Sequence, residues 1–143
     1  MTLLRRHALF RGLVLLAALP LLAACENSAT SMIIEGKDHA LVLVREQPHF
    51  WSDGVTQYIV VSRLPNCQRR VKIHPDIKAM NHMAVYEAGH MLWALQQGKS
   101  WYLASTEECR VQDWDNSGNK PPGSVVGNFS QPEGKTVFTP AAK

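Results

Sequence analysis

The 143-residue sequence predicts an all-β, mostly antiparallel fold, a small sandwich or barrel of about seven strands. Apolar, β-branched runs at Leu41–Val44 and Tyr58–Val61 are separated by a turn signal, Asp53-Gly54. Charged and apolar residues alternate with period two through Arg70, Val71, Lys72 and Ile73. Trp93-Ala94-Leu95 and Trp101-Tyr102-Leu103 flank Gln96-Gln97-Gly98-Lys99, which has the composition of a hairpin turn.

Taken in order, Met32-Ile33-Ile34 opens the domain as a short strand. His39 to Glu46 is the next, following Gly36-Lys37-Asp38 and ended by Gln47-Pro48. An aromatic turn, His49 to Gly54, joins it to a strand over Val55 to Arg63, and the two form an antiparallel hairpin. Leu64-Pro65-Asn66 turns the chain to Cys67, and Gln68 to His74 is a half-buried strand stopped by Pro75.

Residues 76–95 allow two readings. Ile77, Met80, Ala84, Ala88, Met91 and Leu95 recur at helical steps, with Asp76 placed to cap them. Gly89 interrupts that pattern, and Val85-Tyr86 and Leu92-Trp93 prefer strands. The balance favours a short helix near 76–82, then strands near 83–88, 91–96 and 100–105. Cys109 to Gln112 is read as the last strand. From Asn116 onward, glycines and prolines recur and apolar residues are scattered, so 116–143 reads as a flexible, disordered tail. Trp51, Trp93, Trp101 and Trp114 are expected to supply much of the buried area.

The N-terminus has the layout of a secretory signal. Arg5, Arg6 and Arg11 precede an apolar run from Leu13 to Leu22, and small Ala23 and Ala24 follow. This run of ten residues falls short of the roughly 20 that span a bilayer as a helix. Leu22-Ala23-Ala24-Cys25 resembles the lipobox of bacterial lipoproteins. The resemblance is confined to the leader and this cysteine. It implies a signal peptide over 1–24, an acylated, palmitate-bearing Cys25 as the new N-terminus, and attachment to a membrane of the cell envelope. Two or three acyl chains hold a protein firmly where one holds it only marginally. In such proteins an aspartate after the cysteine directs retention in the inner membrane. Glu26 stands there instead, which favours the outer membrane, with the domain facing the periplasm. On this reading 25–31 is the acylated N-terminus and tether, and 32–115 the globular domain.

Charge narrows the partners. The chain carries 15 basic and 12 acidic residues, and three of the basic ones belong to the leader, so the mature chain is formally neutral. Nucleic acid is excluded as a partner, because phosphate binding needs a net or clustered positive field. An envelope protein or ligand fits better. With Cys25 taken by lipid, Cys67 and Cys109 are an even pair in an oxidising compartment, and a disulfide is expected.

Candidate sites are few. Met80, His82, Met83, His90 and Met91 offer thioether and imidazole ligands, which suit copper, and loosely resemble methionine-histidine copper motifs. Methionine also fills core gaps, so packing accounts for the same residues. Asp113 to Gly118 resembles the first half of a calcium loop, but Ser124 stands where its bidentate glutamate belongs. Arg63, Arg69, Arg70 and Lys72 form a basic patch near Cys67 for an acidic partner or a lipid headgroup; such charges also keep a strand edge soluble. His49, His74, His82 and His90, with Ser52, Ser62 and Ser105, occur outside any nucleophile elbow or other catalytic signature. The sequence therefore points to a non-catalytic binding or accessory protein without a cofactor, the copper carrier being the alternative.

Overall fold

A computed structural model of the chain describes residues 27–49, 51, 52, 54–77 and 82–142, with the side chains of 74–77 outside the description. The leader, Cys25 and Met80 also lie outside it. Among the described residues ten strands form two sheets. They are β1 (Asn27–Glu35), β2 (His39–Glu46), β3 (Val55–Arg63), β4 (Cys67–Ile77), β5 (Met83–Gly89), β6 (Leu92–Gln97), β7 (Ser100–Ser105), β8 (Arg110–Asp113), β9 (Val125–Ser130) and β10 (Val137–Pro140). One sheet has the order β1-β2-β3-β4 and the other β10-β9-β5-β6-β7-β8. Every pairing is antiparallel. Both sheets are open, so of the two architectures expected the molecule is the sandwich.

Strand alternation builds the core. In β2, Leu41 and Leu43 point inward; in β3, Ile59 and Val61 do. They are register partners, Leu41 with Val61 and Leu43 with Ile59. The second sheet contributes Met83, Val85, Trp93, Leu95, Tyr102, Ala104, Val111 and Phe129 to the same cluster. Burial of this apolar area, at roughly 25 cal/mol per Å², is what holds the sheets face to face.

Several boundaries differ from the sequence-based expectation. Strands number ten, not about seven: β9 and β10 are added, and β1 runs from Asn27 to Glu35 rather than over Met32–Ile34 alone. The region 76–82 is not a helix where it is described: β4 continues to Ile77, and β5 starts at Met83. The competing strand reading of 83–105 holds, with hairpins at Gly89–Leu92 and Gln97–Ser100.

The flexible tail is also corrected. After a long loop, β9 enters the sheet between β10 and β5, and Phe129 has no exposed surface. The glycines and prolines that suggested disorder occupy specific places. Gly127 lies inside β9, where an added Cβ would come within 2.5 Å of Phe138 Cζ and of the Thr139 carbonyl oxygen. Pro140 ends the edge strand β10, where a missing N–H costs no ladder bond. Nor are residues 27–31 a tether: they are already β1, paired with Val42–Glu46 of β2.

Candidate functional site

The sandwich has two ends, and the candidate residues divide between them. Asn27 of β1 is opposite Glu46, and Glu46 is opposite Thr56, so the start of β1 and the β2–β3 connection share one end. Glu35 is opposite His39, His39 opposite Arg63, and Arg63 opposite Cys67, which defines the far end.

Cys67 and Cys109 are disulfide-bonded at that far end, with a Cα–Cα distance of 5.9 Å. Cys67 opens β4 of one sheet and Cys109 precedes β8 of the other, so the bond ties the two layers together. Beside it, His39 Nε2 and Thr106 Oγ1 are 2.7 Å apart in a buried hydrogen bond, and the edge of Trp93 meets the His39 ring. Arg63 reaches into the same region, where its Nε is enclosed without a hydrogen-bond partner among the described residues.

The basic patch is split. Strand alternation places Arg69 on the same side of β4 as Val71 and Ile73, while Arg70 and Lys72 point outward. Arg63, opposite Cys67, belongs with Arg69. Arg70 donates to Glu46 Oε2 at 2.7 Å and lies over the Tyr58 ring, 3.7 Å from its centroid. The Glu46 hydrogen bond, opposed by desolvation, raises the Arg70 pKa above its usual value. Lys72 is likewise engaged. The outward pair is thus a partly neutralised surface on the face opposite the other two arginines.

The methionine-histidine group is not a cluster. His82 precedes β5 and His90 follows it, so the seven-residue strand holds them on the order of 25 Å apart. Met83 is fully buried in the core, and Met91 packs against it from a turn with φ of 48°. One ion cannot be shared by His82 and His90 across that strand. Among the described residues no three of His, Cys, Asp and Glu converge to hold a metal ion.

The calcium-like segment has a structural role. Asn116 donates to the Lys120 carbonyl, and Asn119, with φ of 48°, turns the loop back. Asn119 Oδ1 accepts from Trp101 Nε1 at 2.9 Å and from Gln96 Nε2 at 3.0 Å. Trp114 meets Trp101 edge-on, and the Glu87 amide donates to the Ser124 carbonyl. Residues 114–124 therefore fold over the outer face of the six-stranded sheet and bury Trp101 beneath them.

Two shallow cavities flank this sheet. One, of about 190 Å³, is bordered by His90, Ser105, Glu107, Glu108 and Arg110. Within it Ser105 Oγ accepts the Glu108 amide, a turn-capping role, and Arg110 pairs with Glu108. The other, of about 330 Å³, is an open depression beside Trp101 and Trp114. Dedicated small-molecule pockets start near 300 Å³ and enclose most of the ligand, so neither has the form of a substrate site.

A buried polar chain crosses the core, and no sequence motif marked it. Arg45 Nη1 donates to Gln57 Oε1 at 2.8 Å, and Gln57 Nε2 donates to Gln97 Oε1 at 2.8 Å. Arg45 has further contacts. The available signal was periodicity: Arg45 follows Leu41 and Leu43 on the inward set of β2, and Gln57 precedes Ile59 and Val61 on that of β3.

Comparison with protein-family models, curated proteins and solved structures finds no match to this chain.

Proposed function

We propose that this protein is a lipid-anchored, non-catalytic component of the bacterial cell envelope, one that binds or supports a partner on the periplasmic side. The observation that carries this reading is Leu22-Ala23-Ala24-Cys25 behind a basic, then apolar, leader. The Cys67–Cys109 disulfide supports an oxidising compartment. Neutral mature charge and shallow surfaces favour a protein partner over nucleic acid or a small substrate. Glu26, in place of aspartate, favours the outer membrane.

The test is mass spectrometry of the N-terminal peptide from the membrane fraction, paired with Cys25→Ser. The native peptide should begin at Cys25 and carry acyl mass, and the variant should accumulate unprocessed or soluble. Normal anchoring of Cys25→Ser would refute the reading. In-cell crosslinking of the anchored protein should then recover a discrete envelope partner, lost when the outward Arg70 and Lys72 are replaced by alanine.

A further inference from the structure

The residues that join Cys25 to the fold are very few. Only Glu26 separates Cys25 from β1, and Asn27 is already paired with Glu46. Two residues of chain reach at most about 7 Å. An anchor at Cys25 would thus hold one particular end of the sandwich against the bilayer, the end where β2 passes into β3.

That end presents an aromatic tip. The Ser52 amide donates to the His49 carbonyl at 2.9 Å, closing a turn that places Trp51 at its crest. Trp51 is 67% exposed, and its ring lies flat on His49 with centroids 4.8 Å apart. The other tryptophans are inside the fold or half-covered: Trp93 and Trp101 are buried, and Trp114 packs on Trp101. Trp51 stands five residues beyond Glu46, a reach of up to about 17 Å, against about 7 Å for the link to Cys25. The interfacial layer is some 5–8 Å deep on each side of the hydrocarbon core. An amphipathic indole held on a crest at this level sits where tryptophan is favoured in membranes, with its ring in the headgroup region and its N–H hydrated.

Resting on the anchored reading above, we infer that Trp51, backed by His49, is a second membrane contact that seats the sandwich upright on the bilayer. The partner is the lipid interface itself. Lys99, in the β6–β7 turn, and Lys135, before β10, belong to the same end. The Gln57–Gln97 bond and the hydrogen bonds of Ser28 and Thr30 to Thr136 fix those turns beside the start of β1. Exposed carboxylates share that end: Glu133 in the Pro132–Gly134 turn, and Glu46, which is paired with Arg70. The contact is accordingly aromatic in character rather than selective for anionic lipid. A single lipid anchor leaves a domain free to tumble; the second contact would fix its orientation and aim the disulfide end away from the membrane.

The experiment uses the native lipidated protein in vesicles of phosphatidylethanolamine and phosphatidylglycerol with brominated acyl chains. Tryptophan quenching is measured for wild type and Trp51→Ala, and intact mass is recorded for each. Acylated protein whose quenching is largely lost in Trp51→Ala is the expected result. Acylated protein that is unquenched, or quenched equally in the variant, overturns the contact while leaving the anchor standing. Protein without acyl mass at Cys25 overturns the anchored reading and this inference with it. A Trp51→Phe protein, which keeps an apolar ring but loses the emitter, should show the same loss of quenching and match wild type in proteolytic resistance on vesicles. Trp51→Ala should be digested faster on vesicles but not in detergent; equal digestion of wild type and Trp51→Ala on vesicles also overturns the contact.

Discussion

Arg45 shows how a single side chain departs from the pattern of its strand. It has no exposed surface, although Leu41 and Leu43, its neighbours on the inward set of β2, are apolar. A buried cation is tolerated only when it is hydrogen-bonded, and Gln57 supplies part of that by accepting from Arg45 while donating to Gln97. Removing the middle member leaves two buried polar groups without this bond. Gln57→Leu is expected to lower stability by about 3 kcal/mol. Urea unfolding should show an earlier midpoint with an unchanged slope. An unchanged midpoint would mean that the other contacts of Arg45 suffice to hold it. Arg70 provides the contrast: its partner Glu46 is equally well placed at 2.7 Å, but both side chains are about two-fifths exposed. Arg70→Ala should cost less than about 1 kcal/mol. Burial, not bond length, separates the two. The inward position of Arg45 was legible from alternation with Leu41 and Leu43, but its partners were not, because Gln97 is 40 residues from Gln57 and meets it only across the sandwich. The same limit hid His39 and Thr106, 67 residues apart.

Among the elements, legibility followed the distance over which each strand finds its partner. The β2–β3 and β6–β7 hairpins pair across short turns, and their alternation and turn residues are contiguous in the sequence. Strand β9 has no such neighbour. It is joined to β5 across some forty residues and a loop that first covers Trp101. Its own pattern is weak because one inward position is glycine. That glycine is required by β10, whose Phe138 and Thr139 occupy the space a side chain would need. Density of glycine and proline was therefore a poor guide to disorder here: close packing and turns use the same residues. The consequence is measurable. Phe129 is fully buried, tilts against Phe138 and faces Met83 in register. Phe129→Ala should cost about 3–5 kcal/mol, as for other large core truncations. Deleting residues 125–143 should cost more, since it uncovers Met83 and Val85 together. Circular dichroism during thermal unfolding measures both. A truncated protein that melts like the full chain would restore the flexible-tail reading.

At the scale of the whole molecule, two sheets with separate strand sets must be held in one register, and two devices do so. The core cluster draws on both layers, and the Cys67–Cys109 bond links β4 to the turn before β8. The pairing was legible by count, since an anchor at Cys25 leaves only these two cysteines. That they would join different sheets was not, because it depends on the topology. The bond spans 42 residues, for which the chain-entropy account assigns about 4 kcal/mol, acting mainly through the unfolded chain. Domains of this size have only about 5–15 kcal/mol in total. Replacing both cysteines by alanine should therefore lower Tm by roughly 15–20 °C, with the strand signal retained below the transition because the apolar cluster is intact. Calorimetry of the double variant against the oxidised wild type decides the point. A Tm within a few degrees of wild type would assign the cohesion of the layers to the core alone. A chain without strand structure at room temperature would show that this core does not hold the sheets together unaided. Either result bears on where the protein can fold: a sandwich that needs the bond matures only after export to an oxidising compartment.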